Sequence, residues 1–346
     1  MSSRYSVCWT KAQTNGQRCP PRGGHSCIVA DFQLVVFGGH RFNTGNTFIY
    51  LNDIWVLDIE TMTWQEVRCS GELPAPRYGH SCELVGSRMF VIGGKGEKNE
   101  LYRDVYFLDL LDWTWSNVNT TSAGPSQRFN HASVLVGRKI VVHGGWDGDN
   151  CFGDLWVFDT DSFSWMQPRT GGLPPSPRYG HKLQLLPEGF ILLSGGVMVP
   201  SKGIPIYHKA TNFSPQETFR LDTETMLWSK PSMKGSMMSA RFGHSMTLSE
   251  EGQILMFGGW GLDGIQVGHK LNSRRPCLPY LLGVGDLAAQ LVDMLMELPL
   301  VKGRSMPEHK HGHSCVNLGN AFFIFGGWTA QQATSELVVV ELNEVD

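Results

Sequence analysis

A tryptophan and an arginine stand thirteen residues apart five times along this chain: Trp9 and Arg22, Trp64 and Arg77, Trp115 and Arg128, Trp165 and Arg178, Trp228 and Arg241. A spacing kept that strictly means that one small structural unit is reused, and the repeat decides the fold before any local pattern does. Each arginine opens a short motif, as in Arg77-Tyr78-Gly79-His80, and a glycine pair follows: Gly38-Gly39, Gly93-Gly94, Gly144-Gly145, Gly195-Gly196, Gly258-Gly259 and Gly326-Gly327. The apolar runs before the pairs, such as Met89-Phe90-Val91-Ile92, predict strands buried on both faces. The pairs predict close backbone approach or positive φ. Beyond a variable loop comes an acidic residue heading an alternating run, as in Asp53-Ile54-Trp55-Val56-Leu57-Asp58 and Asp154-Leu155-Trp156-Val157-Phe158-Asp159. Period-two alternation of aromatic and β-branched residues is a strand signal. A polar turn then leads to the tryptophan of the next strand. One unit is therefore four antiparallel strands over roughly fifty residues, too small to bury both of its faces alone.

The Arg-x-Gly-His opening, the double glycine, the Asp-led run and the spaced tryptophan resemble kelch repeats, in one order along nearly the whole chain. The resemblance implies an all-β fold, a six-bladed β-propeller of four-stranded antiparallel blades packed face to face around a central channel. It also implies a single kelch domain over residues 1–346, with insert-like loops at 197–216 and 260–285. The last unit, from His313 to Glu341, stops before its tryptophan strand, and the chain begins with a tryptophan strand that lacks earlier partners. Trp9 is expected to supply the outer strand of the sixth unit, so that neither terminus leaves an unpaired edge. The fifth unit is degenerate. Counting back from Lys310, which replaces the arginine, lands on Glu297 where tryptophan stands elsewhere, and Leu287, Leu291, Leu295 and Leu298 fall at helical spacing. Degenerate strands and an inserted helix are both compatible with residues 286–298.

A formal charge of −3 excludes nucleic-acid binding driven by net charge. No apolar run reaches membrane-spanning length and Met1–Tyr5 carries no apolar signal, so a cytoplasmic or nuclear chain without a membrane partner is expected. Cys27, Cys82 and Cys315 share one position just after the motif histidine and read as reduced thiols of inner strands.

Each motif cation precedes an inner strand, so Arg22, Arg77, Arg128, Arg178, Arg241 and Lys310 are expected to ring one channel mouth and focus a positive field there. The competing expectation is that the guanidinium groups bond backbone carbonyls of neighbouring blades. Loops after the glycine pairs should open on the same face with His40, Arg41, Lys95, Trp146, Trp260 and Trp328, a composition typical of interaction hot spots. Tyr78, Phe129, Tyr179 and Phe242 read as packing between blades. Kelch proteins of similar pattern hold acidic peptides or carboxyl-terminal tails at this mouth. The resemblance thus implies a protein or peptide partner, with a role as substrate-recognition adaptor, on a ubiquitin-ligase scaffold among other settings, or as a scaffold. The alternatives are a metal-dependent lyase or oxidase and a cytoskeletal scaffold using the blade sides. The repeat histidines read as inner-strand hydrogen-bonding groups; His309, His311 and His313 could share one strand face, and Asp147-Gly148-Asp149-Asn150 reads as a turn. No hydrolase elbow, phosphate loop or zincin helix occurs, so no catalytic residue, metal or cofactor is expected.

Overall fold

The computed structural model describes residues 4–45, 47–198, 217–235, 241–250, 252–261, 280–283, 291–297 and 310–345. Units one to four each form an antiparallel meander, the first running Ser26–Ala30, Gln33–Phe42, Phe48–Asp58 and Thr63–Val67. In the last unit Ser314–Leu318, Ala321–Phe325 and Leu337–Val345 are joined by the N-terminal strand Arg4–Lys11, with Trp9 opposite Val340. The chain's start thus pairs with its finish, as the missing strands at the two ends predict. Five blades carry the full repeat.

The fifth unit departs from it. Ser245–Leu248 pairs with Gln253–Phe257 as elsewhere, but the next strands, Tyr280–Gly283 and Leu291–Glu297, come from a segment with neither the Asp-led run nor the tryptophan. Leu291–Glu297 is strand, so the helical spacing of its leucines does not decide its state. Residues 199–216 and 262–279, which make up most of the two long loops, lie outside the described residues.

Each repeated residue has a mechanical reason. The tryptophan is a wedge against the preceding unit: Trp64 lies 4.9 Å from Phe325, Trp115 5.0 Å from Phe37, and Trp9 5.4 Å from Phe257 between ring centroids. Interfaces between units are apolar throughout; Leu34, Val36, Leu57 and Trp64 of the first unit pack with Phe323, Phe325 and Leu337 of the last. The glycine pair answers both needs that the sequence suggests. At Gly38 and Gly39 φ is 65° and 92°, and a Cβ on Gly38 would lie 2.9 Å from the Arg77 carbonyl oxygen of the next unit. The Gly39 N–H donates to that same oxygen at 2.8 Å. A second set of bonds runs through the motif turns: Gly24 N–H donates to Gly312 O, Gly312 to Gly243, Gly243 to Gly180, Gly180 to Asn130, Asn130 to Gly79 and Gly79 to Gly24. This chain of amide bonds returns to its first member, so the turns form a closed cycle around the axis.

Candidate functional site

The motif cations are not on the mouth surface, and the expected cationic ring is corrected on this point. Arg22, Arg77, Arg128, Arg178, Arg241 and Lys310 are all 0–2 % exposed. Arg22 forks onto Asp53 at 2.7 and 2.8 Å, Arg77 onto Asp104 at 2.6 and 3.0 Å, and Arg128 onto Asp154 at 2.6 and 2.9 Å. Each also donates to the first glycine carbonyl of its own unit, as Arg77 does to Gly93 O at 2.9 Å and Arg241 to Gly258 O at 2.9 Å. Arg178 reaches Glu217 at a looser 3.5 Å, and Lys310 reaches Glu336 at 3.0 Å. The bidentate fork satisfies a planar guanidinium inside a packed interface, and the acid that heads the third strand is its designed partner. These cations hold the walls. The guanidinium groups do bond backbone carbonyls, but those of their own unit and not of the neighbouring blade, and the carboxylates were not foreseen.

What the motif turns build at this end is a belt of rings, with Phe129 and Tyr179 buried within it. The residue after each motif cation forms a β-bridge with the residue after the glycine pair: Gly23 with His40, Tyr78 with Lys95, Phe129 with Trp146, Tyr179 with Val197 and His311 with Trp328, while Phe242 pairs with Trp260. The rings touch in sequence, with Tyr78 and Phe129 at 5.7 Å, Trp146 and Tyr179 stacked at 5.3 Å, Tyr179 and Phe242 at 6.2 Å, and Trp260 and His311 at 5.1 Å. Lys95 Nζ sits 5.1 Å from the centre of the Phe129 ring. Gly23 is glycine because Trp328 occupies the space its side chain would need.

One sector of the belt stands proud. The first unit's central hairpin, Gln33–Phe42 and Phe48–Asp58, extends beyond the glycine pair and carries Phe42 and Phe48, 39 % and 45 % exposed. The two rings stack at 4.3 Å, with Trp328 at 5.1 Å from Phe42 and His40 at 5.0 Å from both Trp328 and Phe48. His40 bonds Gly23 O at 2.9 Å, and burial lowers its pKa to about 4, so it is a neutral ring at physiological pH. Arg41 is half-buried beside it and Trp260 is exposed. Sequence reasoning named His40, Arg41 and Trp328 but missed Phe42 and Phe48, which have no counterpart in other units among the described residues.

The motif histidines stitch the inner strands together. His80 Nε2 meets Ser26 Oγ at 2.9 Å, His131 meets Ser81 at 2.9 Å, His25 meets Ser314 at 2.8 Å and His313 meets Ser245 at 3.0 Å. Burial drives these imidazoles well below their usual pKa, to about 3 for His25 and His131, so they are neutral bonding groups. The serine in each pair follows the motif histidine of the preceding unit. Two units break the series, with Ala132 and Lys182 in the serine's place. His181, facing Ala132, turns to His143 at 3.0 Å; His244, facing Lys182, has both ring nitrogens buried without a hydrogen-bond partner among the described residues.

Among the described residues no group of three His, Cys, Asp or Glu is placed to hold a metal. His313 is committed to Ser245 and His311 to the Trp260 ring, while His309 lies outside the described residues. Asp147 caps its own turn through the N–H groups of Asp149 and Asn150. Burial raises the Cys82 thiol to about 12 and that of Cys315 to about 11, and it pushes Cys27 well above its usual value. These are protonated wall groups with little nucleophilic character. No helix among the described residues is long and apolar enough to cross a membrane.

Four-stranded meanders wedged by tryptophan, locked by Arg–Asp forks and glycine pairs, and arranged around a channel define a kelch β-propeller. The family model of the KLHDC2/KLHL20/DRC7 kelch-repeats domain matches at residues 3–85, 33–259 and 210–346, and the chain belongs to that family. It is similar to Acyl-CoA-binding domain-containing protein 4 of Arabidopsis thaliana, with 32% identity over 133 residues, 38% of this chain and 19% of the relative. It is also similar to Dynein regulatory complex subunit 7 of Chlamydomonas reinhardtii, with 34% identity over 117 residues, 33% of this chain and 10% of the relative. With Host cell factor of Drosophila melanogaster it shares 30% identity over 147 residues, 36% of this chain and 9% of the relative. The matched segments thus span less than a fifth of these relatives' own length.

Proposed function

We propose that this kelch propeller is a six-bladed protein-recognition module that takes a peptide or tail segment at its aromatic mouth. The closed cycle of amide bonds through Gly24, Gly79, Asn130, Gly180, Gly243 and Gly312 supports counting the irregular fifth sheet as a blade. The exposed Phe42–Phe48 stack against Trp328 and His40 carries the binding reading. Aromatic side chains on a rigid frame supply contact area at low ordering cost, which is the composition of interface anchors. Arg41 and Lys95 stand nearest to favour acidic residues flanking an apolar anchor in the partner. The buried motif cations serve by fixing the frame. Loops 197–216 and 260–285 set partner choice, and the module acts as a substrate-recognition adaptor or scaffold, by binding and not by chemical turnover.

The test is affinity purification with the chain and with a Phe42→Ser/Phe48→Ser double variant. Both rings are exposed, so the variant should keep its melting temperature and lose the partners enriched by the parent. Equal partner recovery by the two would refute the mouth as the binding face. A ubiquitin-ligase scaffold recovered with both proteins would support the adaptor role over the scaffold role.

A further inference from the structure

The inner strands of the six units surround a cavity of about 520 Å3, lined by the motif histidines His25, His80, His131 and His313, by the serines bonded to them, and by Glu83 and Lys182. Because burial keeps those histidines neutral, Lys182 is the cation of this lining and Glu83 its carboxylate. The two do not meet. No ion pair within 4.0 Å engages Lys182 among the described residues, and Glu83 instead accepts from Ser133 Oγ at 2.6 Å.

Lys182 stands where four units keep a serine. In those units a neutral hydroxyl closes a bond to the next histidine; here an ammonium takes its place and His244 is left buried without a partner. Burial lowers the Lys182 pKa and Glu83 across the lining opposes this only in part, so an ammonium with no carboxylate in contact is costly in this partly dehydrated bore unless a counter-charge reaches it. A bore walled by protein also focuses the field of one charge more strongly than an open surface does. We infer that the channel is a binding site for the carboxylate of a small organic acid or an equivalent oxyanion, with Lys182 as its counter-charge and the adjoining serine hydroxyls as further donors. A free acid and the terminal carboxylate of an inserted peptide share this chemistry. The site is separate from the aromatic mouth and does not rest on it.

The experiment titrates the whole chain with sodium acetate, inorganic phosphate, and a triglycine peptide as the free acid or the terminal amide. Each is compared with sodium chloride at equal ionic strength, and binding is followed by calorimetry and by the melting temperature. Lys182→Ser restores the residue of the other units and Lys182→Met keeps the bulk without the charge, so both should fold. The site predicts that acetate, phosphate or the peptide acid binds the parent and raises its melting temperature beyond chloride. It further predicts that the variants bind at least about tenfold more weakly, the loss of one charge-assisted hydrogen bond. Binding by the peptide acid without acetate or phosphate would assign the carboxylate to a chain terminus; binding by acetate or phosphate would assign it to a free anion. A parent that responds to none of them beyond chloride, or variants that respond as the parent does, would overturn the inference.

Discussion

The interface between units one and two and the interface between units four and five are built from one motif, and at their hydrogen-bonding centre they differ in a single residue. In the first, Ser26 Oγ bonds His80 at 2.9 Å; in the second, Lys182 faces His244 and the bond is missing. The glycine contact is kept in both, with Gly39 N–H donating to Arg77 O at 2.8 Å and Gly196 N–H to Arg241 O at 2.9 Å, whereas the tryptophan wedge that Trp115 supplies against Phe37 in the first has Glu297 in its place in the second. The propeller therefore tolerates loss of one polar stitch at an interface where the backbone bonds Gly196 N–H to Arg241 O and Gly243 N–H to Gly180 O persist. That tolerance is what leaves the position open for a charge.

Acid should have the largest effect on this comparison. The folded state holds His25 and His131 neutral down to about pH 3, and His80 and His313 are likewise lowered by burial, whereas an unfolded chain protonates near 6.5. Between those values the unfolded state binds more protons, so stability is complete above pH 6.5 and declines as pH falls through the window. Each histidine contributes up to about 1.4 kcal/mol per pH unit there. Urea midpoints should drop steeply from pH 7 to pH 5, and hydrogen exchange should show Lys182–Leu185 and Ser245–Leu248 opening before Ser26–Ala30 and Ser81–Val85. A flat midpoint over that range would mean that the histidines are not buried as neutral groups.

The ion-pair series offers the same contrast in charged form. Arg77 forks onto Asp104 and lies 4.2 Å from the centre of the Tyr102 ring, while Arg178 approaches Glu217 at 3.5 Å and lies 5.1 Å from the centre of the Phe219 ring. Arg77→Ala strands a carboxylate that is 29 % exposed, and should cost about 3 kcal/mol. Arg178→Ala should cost about 1 kcal/mol less, read from denaturant midpoints at constant slope. Equal losses would show that the shared glycine-carbonyl bonds, and not the carboxylates, make the cation valuable.

The spacing of Trp64 and Arg77 and its repeats made the blade pattern legible, as did the orphan strand around Trp9, because both follow from units that cannot stand alone. The role of the cations was half legible. Asp53, Asp104 and Asp154 recur once per unit in step with the arginines, so the pairing was present in the periodicity, but counting cations without these acids placed a positive ring at the mouth. Phe42 and Phe48 were invisible because they lie on a hairpin extension that runs further beyond the glycine pair than any other among the described residues. Leu291–Glu297 was ambiguous because four leucines at helical spacing also fit an irregular strand, and pairing with Tyr280–Gly283 decided between them.

The smallest expected effects are the most discriminating, because they exchange the two interfaces' chemistry one hydroxyl at a time. Ser81→Ala removes the partner of His131 and leaves a buried nitrogen unsatisfied, which should cost about 1–3 kcal/mol. Ala132→Ser offers His181 a hydroxyl it does not need, since His143 already bonds it at 3.0 Å, and should change stability by less than about 0.5 kcal/mol. Lys182→Ser removes a buried ammonium that no carboxylate contacts among the described residues and supplies the partner His244 lacks, so it should stabilise the chain by about 1 kcal/mol. If Lys182→Ser destabilises instead, the lysine stem is packing against its neighbours and the missing stitch is compensated within the wall. A gain would place the cost of Lys182 on folding, which leaves a bound counter-charge as the interaction that offsets it.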